Sequence, residues 1–173
     1  MQLRGLWLFG LLILTLAGGG CGYHLAGKAT NIPENIDSIA IPVFTNKSIK
    51  YSIEQRLTSA VVNEFISRTH YRVTSDPASA KALLTGEITD YRSTPVIFAN
   101  NVATTYAITV RMKVTLKEVA TKKILFENNN YVFREEFEIS SQPSEFFPEE
   151  GPAMDRLSTT FAKSLVSTIL AGF

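Results

Sequence analysis

The sequence predicts an α+β domain in which two amphipathic helices pack on one face of a mixed sheet of about four strands. Three patterns carry that prediction. Ile53, Leu57, Ala60, Val61 and Phe65 recur at helical spacing, as do Met154, Leu157, Phe161, Leu165 and Ile169, so each run lines one side of a helix. Tyr106, Ile108, Val110, Met112, Val114 and Leu116 alternate with Thr105, Ala107, Thr109, Arg111, Lys113 and Thr115, the period of two that gives a strand one buried and one wet side. The order of elements is strand, helix, short strand, strand, long hairpin, helix, with no internal repeat.

Ahead of the domain, residues 1–20 have the parts of a removable secretory signal: a positive charge at Arg4, an apolar run from Leu6 to Leu16, and small residues up to Gly20. The run is too short for a spanning helix, which needs roughly 20 residues to cross about 30 Å of hydrocarbon. Cys21, the single cysteine, follows directly. A thiolate there is the group that a diacylglycerol donor alkylates, and two or more acyl chains hold a protein stably at a membrane. Gly18 stands where lipoprotein signals usually carry leucine, with Leu16 the nearest. The competing readings are a buried free cysteine or a nucleophile paired with His24 or His70, which would need an orienting partner. The expected organisation is a signal over 1–20, a lipidated N-terminus and polar linker punctuated by Pro33 over 21–37, and one domain over 38–173.

Within the domain, Ser38 to Phe44 reads as the first strand, with Pro42 placing it at an edge or a bulge. Ser52 has the position of a helix N-cap, and Gln55 completes a capping box for a helix running to about Arg68. Tyr71 to Ser75 is a short strand, and Asp76-Pro77 starts a turn of helix reaching Lys81. Leu83 to Tyr91 is a strand in which Gly86 marks a bulge or a close approach. Val119 to Lys123 turns the chain into a returning strand, Ile124 to Ile139, whose alternation breaks at Asn128, Asn129 and Asn130. Ser140 to Gly151 is a loop, and Pro152 opens the closing helix.

Ser93 to Asn101 interrupts the strand pattern, with Pro95, Val96, Ile97 and Phe98 between turn-favouring residues. Apolar side chains at such a hairpin tip are tucked under the sheet or offered to a partner.

Composition narrows the function. Seventeen basic residues face sixteen acidic ones, and Arg4 is the only charge in the signal, so the remaining chain is formally neutral. Nucleic acid, which demands a basic stripe, is therefore not an expected partner. Arg111, Lys113, Lys117, Lys122 and Lys123 form a basic run and Glu135, Glu136, Glu138, Glu145, Glu149 and Glu150 an acidic one, either of which is a solvated face or a binding surface. One cysteine permits no internal disulfide. No phosphate-cradling glycine loop, metal-ligand spacing or nucleophile elbow is present, and Glu135 and Glu136, adjacent on a strand, point to opposite faces. The expectation is a protein that is not an enzyme and has no cofactor.

Cys21-Gly22-Tyr23-His24-Leu25, the two-helix and sheet order, and the segment Leu84 to Leu116 with Phe98-Ala99-Asn100-Asn101 and Tyr106 resemble the LptE family of outer-membrane lipopolysaccharide-assembly lipoproteins. The resemblance implies a lipid-anchored domain that sits on the periplasmic side and within the lumen of the LptD β-barrel as a 1:1 plug, binds lipopolysaccharide and assists its insertion into the outer leaflet. Gly22, which is not the Asp of inner-membrane retention, fits outer-membrane sorting. Some family members carry a basic residue directly after the hairpin phenylalanine, where this chain has Ala99. On that basis barrel docking is expected of Ile97, Phe98, Asn100 and Asn101, and contact with lipopolysaccharide phosphates of Arg92, Arg111, Lys113 or Arg134, whose cationic groups suit them. The strand Ser38 to Phe44 with its following helix also looks like the opening of lipoproteins that activate an envelope synthase or a secretion channel, which is the alternative function.

Overall fold

The computed structural model describes residues 32–99, 101–138 and 150–171. Cys21 and Asn100 lie outside these residues, as does nearly all of the loop expected before the closing helix. In chain order the elements are β1 (Ser38–Ala40), β2 (Thr45–Asn46), α1 (Ile53–Arg68), β3 (Arg72–Thr74), a 3-10 turn (Pro77–Ser79), β4 (Ala82–Ala99), β5 (Val102–Glu118), β6 (Ile124–Glu138) and α2 (Glu150–Ala171).

They build one six-stranded mixed sheet in the order β3-β1-β4-β5-β6, with β2 beside β4. β1 runs parallel to both β3 and β4, and β4, β5 and β6 form an antiparallel meander. Ser38, Ile39 and Ala40 are all buried, as befits a short parallel strand between two neighbours. The strand count exceeds the expected four because the first predicted strand divides. Pro42 has no N–H to give a ladder, and the chain leaves the sheet there before β2 rejoins it at Glu87 and Ile88. The break stays satisfied, since Ile41 N–H donates to the Thr74 carbonyl at 2.7 Å and Phe44 N–H to Thr58 Oγ1 at 3.0 Å.

Both helices cover the same side of the sheet. Leu57, Val61 and Phe65 of α1 and Leu157, Phe161 and Leu165 of α2 are buried against Ile39, Leu84, Ile88, Ile108, Val110, Met112, Val114 and Leu116. Tyr131 and Phe133 of β6 meet Phe161 edge-on, with ring centres 5.7 and 6.0 Å away, the geometry aromatic quadrupoles favour. Gly86 is a close approach: a Cβ there would lie 2.8 Å from the Phe44 ring and 2.9 Å from Met112 Cε. The expected break in β6 is real, the register shifting between Met112 and Val114 opposite the three asparagines.

Two local expectations fail. Ser52 does not cap α1: its backbone is left-handed (φ 64°) and its side chain makes no cap hydrogen bond. Capping hydroxyls work from extended backbone, which aims them at the first-turn N–H groups. Asn46 organises this corner instead, its Nδ2 donating to the Lys50 carbonyl at 2.7 Å and to Glu54 Oε2 at 2.8 Å. Packing also begins before Ser38, because Ile32 and Ile36, in the stretch read as polar linker, are buried in the core. Their two side chains are enough to dock a segment whose other residues are hydrophilic.

Candidate functional site

The side of the sheet away from the helices carries no second layer among the described residues. Alternation puts Thr85, Glu87, Asp90 and Arg92 of β4 there, with Thr109, Arg111, Lys113, Thr115 and Lys117 of β5 and Val132, Arg134 and Glu136 of β6. The register then brings together what the sequence scatters. Arg92 and Arg134 flank Thr109 in one cross-strand row, Asp90, Arg111 and Val132 form the next, and Lys113 lies opposite Glu87 beyond that. All four basic residues selected from the sequence thus share one surface. The basic run itself divides, since Lys122 and Lys123 fall in the β5–β6 turn, at the opposite end of β5 from the β4–β5 tip. Glu135 pairs with Arg156 of α2 on the covered side while Glu136 pairs with Arg134 on the open one, so adjacent carboxylates do face apart.

Arg92, Arg111, Lys113 and Arg134 each have an acidic neighbour. Arg92 Nε lies 2.9 Å and Arg111 Nε 3.9 Å from the same Asp90 oxygen. Glu87 receives Lys47 at 2.8 Å and Lys113 at 3.8 Å, and Arg134 Nη2 meets Glu136 at 2.8 Å. The Lys47 hydrogen bond, with the charges of Lys47 and Lys113, holds the Glu87 carboxyl below its ordinary range. Glu87, Asp90 and Lys47 are members of this surface that sequence reasoning missed. Glu87 and Asp90 were open to discovery, because they lie about as far before the hairpin tip as Lys113 and Arg111 lie after it.

At the other end of the same ribbon is the hairpin. β4 continues through Pro95 to Ala99, well past the expected strand end, and the connection to β5 is two residues long. Asn101 takes φ 63°, a left-handed conformation that asparagine tolerates better than other side-chain-bearing residues. Glu138, the last described residue of β6, lies opposite Thr105, so the tip extends about 10 Å beyond that residue at roughly 3.4 Å per residue. Ile97, Phe98 and Val102 stand 54 %, 60 % and 60 % exposed there. They are offered outward, not tucked under the sheet. Val102 is an addition to the predicted set, visible in the sequence only once the turn is narrowed to two residues.

A separate polar cluster ties the layers together. Tyr91 is buried, and its hydroxyl donates to Glu150 Oε1 at 2.6 Å; Lys50 binds the same oxygen and lies 5.6 Å over the Tyr91 ring. Burial first, and then Glu150, raise the Tyr91 pKa well above the ordinary phenol value, while Lys50 and then Tyr91 lower that of Glu150. Lys50, Ser52, Arg56, Glu150 and Met154 border a small cavity of about 140 Å³ beside it. Among the described residues no three His, Cys, Asp or Glu side chains gather as metal ligands, and no helix is long and apolar enough to cross a membrane.

A mixed sheet covered by two helices on one side, with a charged face on the other and an exposed apolar hairpin tip, defines a two-helix α+β domain. Three solved structures share the fold: a protein from Xanthomonas campestris (TM-score 0.56, 11 % identity, 78 % of this chain and 84 % of that one), a protein from Caulobacter crescentus (0.52, 10 %, 75 % and 88 %) and lipoprotein B from Nitrosomonas europaea (0.51, 9 %, 81 % and 89 %). The family model LptE, lipopolysaccharide-assembly, matches residues 36–169, and the chain belongs to the LptE family. It is an outer-membrane lipoprotein of the lipopolysaccharide-assembly type, in a family that is not catalytic. No curated protein matches the sequence.

Proposed function

We propose that residues 1–20 are removed as a signal, that acylated Cys21 anchors the protein to the outer membrane, and that the domain from Ser38 onward seats one to one in the lumen of the LptD β-barrel. There it binds lipopolysaccharide and assists its transport and insertion into the outer leaflet. The observation that carries this reading is the division of labour along one β4–β5 ribbon. Its tip presents Ile97, Phe98 and Val102 to solvent, and its shaft presents Arg92, Arg111 and Lys113 on a bare face beside Arg134 of β6.

Each part suits one partner. Apolar side chains that stand exposed among the described residues of a hairpin lose water when they meet a protein wall, at about 25 cal/mol per Å² of apolar surface buried. The face is hydrophilic, which fits a polar lumen, and its guanidinium and ammonium groups are donors for phosphate. Family membership over residues 36–169 supports LptD and lipopolysaccharide as those partners.

Phe98→Glu tests the docking. The expected result is loss of co-purification with the barrel from detergent-solubilised outer membranes, with thermal stability kept because Phe98 is exposed. Intact co-purification would overturn the docking role of the tip, and recovery of a peptidoglycan synthase in place of a barrel would overturn the whole reading. Mass spectrometry of the mature N-terminus should find three acyl chains on Cys21.

A further inference from the structure

The open face is not a bare cationic patch, because Lys47, Arg92, Arg111 and Lys113 already have acidic partners. Asp90 holds Arg92 and Arg111, and Glu87 holds Lys47 and Lys113, so each carboxylate is shared by two positive charges. The carboxylates also lie deeper: the Glu87 and Asp90 side chains are 28 % and 29 % exposed, whereas those of their four partners are 47–71 % exposed. An anion arriving from solvent meets the cations first, with the carboxylates behind them. Arg92 is engaged by Asp90 through its inner Nε, which leaves its terminal amino groups for another acceptor.

Resting on the reading that this face takes lipopolysaccharide phosphates, we propose that Asp90 and Glu87 set the affinity of the face, acting as resident anions with which the ligand's phosphate groups compete. Two cations to one carboxylate leaves a surplus positive charge at each node, so anions are still attracted. Where the phosphate draws a cation away from a carboxylate, the contact it gains is offset by the contact the carboxylate loses. Exposed ion pairs are weak and exchange easily, and such a face takes up its ligand and lets it go. That is the behaviour a transport step requires, since a site that binds too tightly retains what it should pass on. The carboxylates do a second job when the face is empty: they hold the four cations in a common, outward-facing array.

The test is titration of the full-length lipoprotein in detergent with purified lipopolysaccharide. Asp90→Asn and Glu87→Gln should each tighten binding by about twofold to fivefold, the range that exposed ion pairs command. With dephosphorylated lipopolysaccharide the tightening should vanish. Glu64→Gln removes the same charge from the helix layer, where Glu64 pairs with Arg68, and should leave the affinity unchanged. If Asp90→Asn weakens binding or leaves it unaltered while Arg111→Ala weakens it, the carboxylates only orient the cations and the competition is disproved. Equal tightening by Glu64→Gln would assign the effect to net charge and disprove it as well. If Arg111→Ala and Lys113→Ala both leave the affinity intact, the face is not the lipopolysaccharide site and the underlying reading fails first. Melting curves of each variant confirm that the fold is kept.

Discussion

The two faces of the sheet are made by the same strands and differ in almost everything else. On the covered face Ile108, Val110, Met112, Val114 and Leu116 of β5 are almost completely buried under α1 and α2. On the open face the residues between them, Thr109, Arg111, Lys113 and Thr115, remain in contact with water, and Arg111 and Lys113 have acidic neighbours. One face holds the molecule together and leaves nothing for a partner to touch. The other carries exposed ion pairs, a kind that contributes little to stability. A period-two strand lets both demands be met in seventeen consecutive residues.

Phe161→Ala attacks the first half of that contrast and should have the largest effect. Phe161 is fully buried and is the ring on which both Tyr131 and Phe133 abut. Truncating it should cost about 3–5 kcal/mol, the transfer and cavity penalty of a large buried aromatic. Equilibrium unfolding in urea measures the loss. A cost under about 1 kcal/mol would mean that α2 is not the cover on which the sheet depends.

This contrast was largely legible in the sequence, because burial imposes a period. The alternation from Ile108 to Leu116 assigned the side chains of β5 to a buried and a wet face, although Thr105 and Ala107, expected on the wet face, are buried where the strand nears the hairpin. The helical spacing of Met154, Leu157, Phe161, Leu165 and Ile169 identified the buried side of α2. Illegible features were those decided by contacts distant in the chain. Pro42 announced an irregularity but not that the strand would rejoin the sheet at Glu87. Ser52 has the composition of a cap, yet Asn46, six residues earlier, fixes its corner in a conformation where capping fails. For the site, the four basic residues were named on the strength of the family resemblance, but their carboxylate partners depended on a register with irregularities between Ile88 and Asp90 and between Pro95 and Phe98. Polar surface carries no periodic signal of its own, and the pairing of Glu87 with Lys113 follows only once the β4–β5 turn is located.

Glu150 sits where the contrast blurs, a half-exposed carboxylate hydrogen-bonded to a buried tyrosine of the covered face. Its substitution should have an intermediate effect. Glu150→Gln removes the charge that binds Lys50 and Tyr91, and a loss of about 1 kcal/mol at neutral pH follows from the worth of such hydrogen bonds discounted for exposure. The pH dependence gives the sign. Lys50 and Tyr91 lower the Glu150 pKa from its ordinary 4.5 in the folded state, so the folded protein binds that proton less readily than the unfolded chain. The contribution is fully present above about pH 4.5 and fades as pH falls through the lower folded value. The wild type and Glu150→Gln should therefore differ at pH 7 and converge in acid. Asp37, Glu87 and Glu118 are also depressed, but they titrate alike in both proteins and cancel in the difference. Parallel curves down to acid pH would show that Glu150 carries no such role.

Arg134→Ala tests the other half of the contrast, and the expected change in stability is the smallest. Arg134 and Glu136 are each about half exposed, two residues apart on β6, and their pair is open to water. Exposed pairs of this kind contribute about 0.2–1 kcal/mol, and the lower part of that range is expected because no buried group loses a partner. The same substitution should weaken lipopolysaccharide binding measurably, since it takes a cation from the face. A variant that unfolds as the wild type does while losing ligand separates the two faces energetically. Were Arg134→Ala to cost about 2 kcal/mol or more in urea, the charged face would have to be counted as part of what holds the sheet together, and its freedom to be shaped by a ligand would be correspondingly less.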